Sequence, residues 1–335
     1  MLLSRHTRRR EFIALVGGAA ATWPRAARAQ QPERIRRIGI LTIFTESDHE
    51  ARSWTNALVQ RLQELGWTNG QNLRIDYRWA ADESSRAPML AQELLKLQPD
   101  AIVACGGPAA IAIVQATHSV PIVFVQVVDP VSLGIVQNLA RPGGNVTGFT
   151  HFELTIVRKW LQALKDLAPS GTRVAVIFDP DNPASAVWLR GVETVAPSFG
   201  MRLTPTGVRD APEIERAIEA LARESNGALI VLPNPVTQHH RELTIAFAAR
   251  YRLPAIYPYR FYAESGGLMS YGFDVPEMYR RSATYVDRIL RGESPGDLPV
   301  QAPTKFELII NLKTAKALGL TVPSSIFAAA DEVID

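Results

Sequence analysis

Gly106-Gly107-Pro108 separates the apolar run Ala101–Cys105 from a second apolar stretch that opens at Ala109. Glycines at such a junction let a backbone approach a ligand closely. The first N–H groups of a helix starting there attract a negative group such as a carboxylate. The same residues also suit a plain strand-to-helix turn. Asp129 ends the run Val120–Val128, placed either to meet a ligand amine or to cap a helix opening at Val131. Asp179 and Asn182 in DPDNP, and Pro233 and Asn234 in PNP, follow two further apolar runs in the same way. Tyr257, Tyr259, Phe261 and Tyr262 form an aromatic cluster suited to stacking on an apolar ligand or to packing at a hinge. Asp274 closes GLMSYGF, with a hinge or ligand role.

Other chemistries find no support. The adjacent His239 and His240 would point roughly 100° apart on a helix and do not readily share a metal. His49, His118 and His151 have no partner at ligand spacing, so no metal is expected. The Gly106-Gly107-Pro108 turn fits neither GxGxxG nor GxxxxGKS/T, and Ser265-Gly266-Gly267 is not a GxSxG nucleophile elbow, so no nucleotide loop is expected and no Ser/His/Asp arrangement is read from the sequence. Cys105, the one cysteine, ends an apolar run and reads as a buried core thiol.

The elements that hold these residues alternate. Arg37–Ile43 reads as a buried strand, and Glu50–Leu65 as a helix that buries Trp54, Leu58, Leu62 and Leu65. Asn72–Trp79 alternates as a half-exposed edge strand. Then come a helix over Ser85–Gln98, the strand Ala101–Cys105, a helix over Ala109–Thr117, the strand Val120–Val128 and a helix over Val131–Ala140. Asn145–Thr150 is a short extended piece that crosses to a second lobe. There the order repeats. Helices are expected over Leu154–Leu167, Ala184–Phe199, Pro212–Glu224 and Val236–Tyr251, with strands at Arg173–Phe178, Met201–Thr206, Ala228–Leu232 and Pro254–Tyr257. Such alternation implies an α/β fold of two doubly wound, parallel-sheet lobes. A third section, Gly267–Phe273, Val275–Arg291 and Phe306–Leu318, passes back and forth between the lobes, so that three crossings form a hinge.

At 335 residues, 47% apolar and 21% charged, the chain can fill two medium domains. Its formal charge of +3 comes from residues 1–29, which hold six arginines and one glutamate. The rest keeps 30 basic and 32 acidic residues, which is no nucleic-acid-binding surface. Arg8-Arg9-Arg10-Glu11-Phe12-Ile13, the mild apolar stretch to Ala21, and Ala27-Arg28-Ala29 make residues 1–29 an export leader cleaved near Ala29. It is twin-arginine-like, with an ordinary secretory leader as the alternative. No later run is long and apolar enough to insert in a membrane.

Three stretches carry a resemblance: IVFVQVVDPVSLGIVQNLARPGGNVTGF (122–149), ATYVDRILRGESPGDLPVQ (283–301) and KFELIINLKTAKALGLTVP (305–323). The chain resembles the exported ABC-transporter substrate-binding proteins related to tryptophan- and other amino-acid-binding receptors. The resemblance implies a type I periplasmic-binding-protein fold, two lobes on a three-strand hinge. It implies a periplasmic receptor rather than an enzyme, closing on a small solute and delivering it to a membrane permease. The lobes are expected to comprise residues 35–147 with 271–298, and 148–270 with 299–335.

In parallel sheets, ligands meet the carboxyl ends of the strands. Those positions in the first lobe are Phe44, Thr45, Gly106, Gly107, Pro108, Ala109, Val128 and Asp129. The second lobe offers Asp179, Asn182, Pro233, Asn234, Tyr259 and Phe261, with Asp274 at the hinge. The solute is expected to be an amino acid or a related small carboxylate. An exported α/β enzyme and a receptor serving a signalling partner are the alternatives.

Overall fold

Runs of β-branched residues make the centre of each sheet. In the computed structural model, which describes residues 34–335 apart from Phe152 and Glu224, the first five strands are β1 (Arg36–Thr42), β2 (Leu73–Trp79), β3 (Ala101–Cys105), β4 (Ile122–Val127) and β5 (Val146–Thr150). The expected leader lies outside the described residues. The five strands form an all-parallel sheet in the order β2-β1-β3-β4-β5. β3 and β4 are buried at every position, as central strands covered on both faces must be. Helices α1 (His49–Glu64), α2 (Ala87–Lys96) and α3 (Gly107–Ala116) connect them. Asp48 caps α1, accepting from the N–H groups of Glu50 and Ala51, and Trp54, Leu58 and Leu62 face inward.

The second sheet has seven strands: β6 (Arg173–Phe178), β7 (Arg202–Gly207), β8 (Gly227–Val231), β9 (Ala255–Tyr257), β10 (Met269–Phe273), β11 (Phe306–Asn311) and β12 (Glu332–Ile334). Their order is β12-β11-β10-β9-β8-β6-β7, parallel except for the antiparallel β10–β11 pair. Its helices are α4 (Leu154–Leu167), α5 (Pro183–Val195), α6 (Ala211–Ala222), α7 (Pro235–His239), α8 (Arg241–Arg250) and α9 (Arg260–Glu264). The long helix α10 (Val275–Leu290) returns to the first lobe and packs along α1. Two short helices, α11 (Leu312–Ala317) and α12 (Ser324–Ala329), end on the second lobe.

The chain passes between the sheets three times: after Thr150, after Phe273, and between Leu298 and Phe306. The fold is therefore two α/β lobes on a three-strand hinge. β5 belongs to the first sheet and β10 to the second, which moves the lobe limits expected at 147 and 271 by a few residues.

Several local readings need correction. Val131–Ala140 is a series of turns, not a helix. Gly134 takes φ +68°, the Pro130 carbonyl accepts from both Ile135 and Val136, and Leu139 and Val131 are exposed instead of packed. The segment is held instead by Val300 N–H donating to Leu139 O at 2.7 Å. The helix expected over Val236–Tyr251 is two, broken at His240, where ψ is 29°. Helix α9 inside the aromatic cluster, and α12 with β12 at the end of the chain, were not anticipated from periodicity; all three are too short to show one.

The hinge approaches itself closely at Gly272. A Cβ there would lie 1.8 Å from the Pro258 carbonyl oxygen, so the β10 backbone can lie against the loop after β9 only without a side chain. Gly272→Ala is expected to destabilise the protein by about 3 kcal/mol, read from urea denaturation midpoints. An unchanged midpoint would show that the two segments separate freely.

Candidate functional site

The carboxyl ends of both sheets point into one cleft. It encloses a cavity of about 30 Å³. The first lobe contributes Ile43 and Phe44 after β1, Gly106 and Gly107 after β3, and Gln126 in β4. His151 enters from the first crossing. The second lobe contributes Asn182 and Ala184 after β6, Pro233, Asn234, Pro235 and Gln238 after β8, and Tyr259 after β9. A larger hollow of about 370 Å³, near Arg34, Arg36 and Arg291, lies at the opposite, amino end of β1 and away from these strand tips. We place the site in the smaller cavity, because only there do the two sheets converge.

Glycine is required at the start of α3. Gly106 has φ +94°, and a Cβ there would stand 2.7 Å from Ile43 Cδ1. Its N–H donates to Val125 O at 2.8 Å and its carbonyl accepts from Ala110, which fixes the turn. The first N–H groups of a helix have no intrahelical partner and carry the positive end of its dipole. Those of α3 therefore face the cavity beside Gly107. Across the cleft α5 starts at Pro183, which has no N–H, and its Ala184 N–H is already taken by Asn182 Oδ1 at 3.0 Å.

Of the residues expected from the sequence, Phe44, Gly106, Gly107, Asn182, Pro233, Asn234 and Tyr259 line the cavity. The others are near it but turned to different tasks. Thr45 is half-buried, its hydroxyl 3.0 Å from that of Ser47. Pro108 is half-buried in the first turn of α3, and Ala109 is sealed beneath it. Val128 packs into the core of the second lobe. Asp129 holds the following turn by accepting from Ser132 N–H, and Asp179 accepts from Asp181 N–H. Burial raises the Asp179 carboxyl above its ordinary range, opposed first by the hydrogen bond it accepts from Asp181 N–H and then by Arg209. Asp274 caps α10, 3.9 Å from Lys305. Phe261 lies beneath Trp54 at 6.4 Å between centroids, with the Arg241 guanidinium 5.6 Å from its ring. Asn234 lines the cavity, yet its side chain is occupied in capping α7 and donating to Leu232 O.

Sequence reasoning missed Ile43, Gln126, His151, Ala184, Pro235 and Gln238. Gln126 had a signal, being the one polar side chain inside IVFVQVV. It adopts φ +58° at a register shift between Val125 and Val127, and its Oε1 accepts from Tyr279 O–H at 3.0 Å. A left-handed conformation costs about 1–2 kcal/mol at a residue with a Cβ. Such strain marks places where side-chain direction matters more than backbone comfort. His151 is buried, and its Nδ1 has no hydrogen-bond partner among the described residues. An unmade bond of this kind costs about 1–3 kcal/mol. Burial pulls the imidazole pKa down to about 3, so the ring is neutral at physiological pH.

The lobes also touch directly. Gln238 Nε2 donates to Asp48 Oδ2 at 3.0 Å, and His239 Nδ1 lies 3.7 Å from Asp82 Oδ2. Trp54 of α1 meets Tyr259 across the cleft at 6.1 Å. Burial first, and the Asp48 charge second, push the Asp82 carboxyl up to about 7. The rings of His239 and His240 are 4.7 Å apart at right angles, and no group of three or more His, Cys, Asp or Glu able to hold a metal gathers among the described residues. No described helix is long and apolar enough to cross a membrane.

A family model described as ABC transporter substrate binding protein matches residues 38–334. The chain is 26% identical over 262 residues to a protein named tyrosine-binding protein from Clostridioides difficile (strain R20291), across 78% of this chain and 75% of that one. A conserved domain protein from Vibrio cholerae O1 biovar El Tor is 28% identical, with a TM-score of 0.84 over 90% of this chain and 100% of the other. A substrate-binding protein with adhesive properties from Clostridium difficile, solved ligand-free and open, is 26% identical with a TM-score of 0.67 over 90% and 99%. A domain from Streptococcus pneumonia solved with L-Trp shares the fold at 22% identity, with a TM-score of 0.83 over 89% and 99%. With its cleft at the tips of two sheets and a family match spanning both lobes, the chain belongs to the ABC transporter substrate-binding proteins.

Proposed function

We propose that the protein is exported to the periplasm, captures an amino acid or a related small carboxylate between its lobes, and delivers it to the membrane permease of an ABC importer. The observation that carries this reading is the N-terminus of α3 at a cavity where the tips of both sheets converge. A carboxylate there meets N–H groups and a dipole end without needing a basic side chain. The named relatives support the class, one a tyrosine-binding protein and one a structure with L-Trp. About 30 Å³ holds roughly one or two waters, so a solute enters only when the lobes part. The lower TM-score against the open relative agrees with a closed arrangement here.

Closure then depends on a solute that binds the closed form better than the open one. At a hundredfold excess over its Kd, such a ligand adds about 2.7 kcal/mol to stability. The chain from Gln30 onward, screened against L-amino acids and small hydroxy acids, is expected to show a melting temperature raised by roughly 5–10 °C with at least one of them. No shift with any member of the panel would remove this reading of the solute.

Affinity should also depend on pH. Asp82 has a raised pKa in the closed form, about 7, and opening returns it toward the ordinary carboxylate value of about 4. The closed form therefore binds the proton more tightly, and its advantage is lost as pH rises through 7. Solute affinity is expected to fall about tenfold between pH 6 and pH 8, and to become flat in Asp82→Asn. A wild-type profile identical to that of Asp82→Asn would rule the carboxyl out.

A further inference from the structure

We propose that His151 determines which solutes the cleft accepts, its imidazole Nδ1 receiving a hydrogen bond from a donor group on the bound molecule. This rests on the reading of the cleft as an amino-acid or small-carboxylate site. Four observations carry it. The ring lines the cavity, is only 5% exposed, and leaves Nδ1 without a partner among the described residues. It is held rather than loose, for its centroid lies 5.1 Å from the Phe273 ring and 5.9 Å from that of Trp188, and its backbone N–H donates to Val127 O. It stands on the first crossing and lines the same cavity as Gln126 of one lobe and Asn182 of the other. Finally, the described lining contains no Asp, Glu, Lys or Arg.

The chemistry of the accepted solute follows. One carboxylate is met by the N–H groups at the start of α3. The rest of the lining offers Gln126, Asn182, Tyr259 and His151, all uncharged. With its one ring proton on Nε2, His151 presents a lone pair at Nδ1. An α-amino or α-hydroxyl group can donate to it. A second carboxylate would face that lone pair with no cation to neutralise it, and a charged basic side chain would find no acid. The fitting class is a monocarboxylate with one donor beside it and an uncharged remainder.

The test compares wild type, His151→Phe and His151→Asn. Each is titrated calorimetrically with L-alanine, L-tyrosine, L-tryptophan, L-lactate, L-glutamate and L-lysine, and each is melted without ligand. Phenylalanine keeps an aromatic ring against Phe273 and Trp188 and removes both ring nitrogens, the unpaired Nδ1 among them, so the unliganded melting temperature should stay level or rise. Affinity for the probes that bind wild type should fall about tenfold or more in His151→Phe, and asparagine, whose amide reaches the Nδ1 position, should restore part of it. L-glutamate and L-lysine should bind far more weakly than the best neutral probe. Equal affinity in His151→Phe, or tight binding of L-glutamate, would overturn the proposal. So would a melting temperature several degrees lower in His151→Phe, which would make the ring a structural one. If no probe binds wild type, the reading of the solute class falls, and the role of His151 is decided by the melting temperatures alone.

Discussion

The balance between two arrangements of the same lobes governs this molecule, and aromatic contact across the cleft favours the closed one. Trp54, from the first lobe, is buried among Phe44 and Tyr279 of its own side and Tyr259 and Phe261 of the other. Aromatic side chains bury on the order of 150–250 Å² each, at about 25 cal/mol per Å². Unopposed, that attraction would hold the lobes together with or without a solute. The opposing terms sit in the same place: an unpaired His151, a half-buried Asp82 near Asp48, and Gln126 in a left-handed backbone. Each is of the order of a kilocalorie or more, so together they leave the equilibrium within reach of a ligand.

These three features gather in one region. They line the cleft or its rim, whereas the strands behind them obey every local rule: β3 and β4 are apolar throughout except at Gln126, and each central strand is buried on both faces.

Much of this was legible in the sequence. Strand ends at Phe44, Gly106 and Pro233 could be read from apolar runs stopped by Gly and Pro, and strand ends are where the cavity formed. The capping residues were the difficulty. Asp129, Asp274 and Asn234 have the composition and placement of ligand contacts, yet their oxygens accept from backbone N–H groups three residues on. Asp and Asn serve helix starts and ligands by the same chemistry, so a strand-end position does not separate the two uses. His151 and Gln238 were invisible for another reason. Their role comes from what the opposite lobe brings to them, and no spacing along one chain encodes that. Val131–Ala140 misled because three apolar residues at helical spacing suggest a buried face, while Gly134 and the shared Pro130 carbonyl favour turns.

Cys105 lies at the end of β3, with no exposed surface, and burial pushes its thiol up to about 12. It is the chain's sole sulfhydryl. A thiolate that scarcely forms and that no oxidant can reach neither crosslinks two molecules nor climbs toward sulfenic acid. The polypeptide can thus mature identically in a reducing or an oxidising compartment, and its assembly makes no demand on disulfide-forming machinery on either side of a membrane.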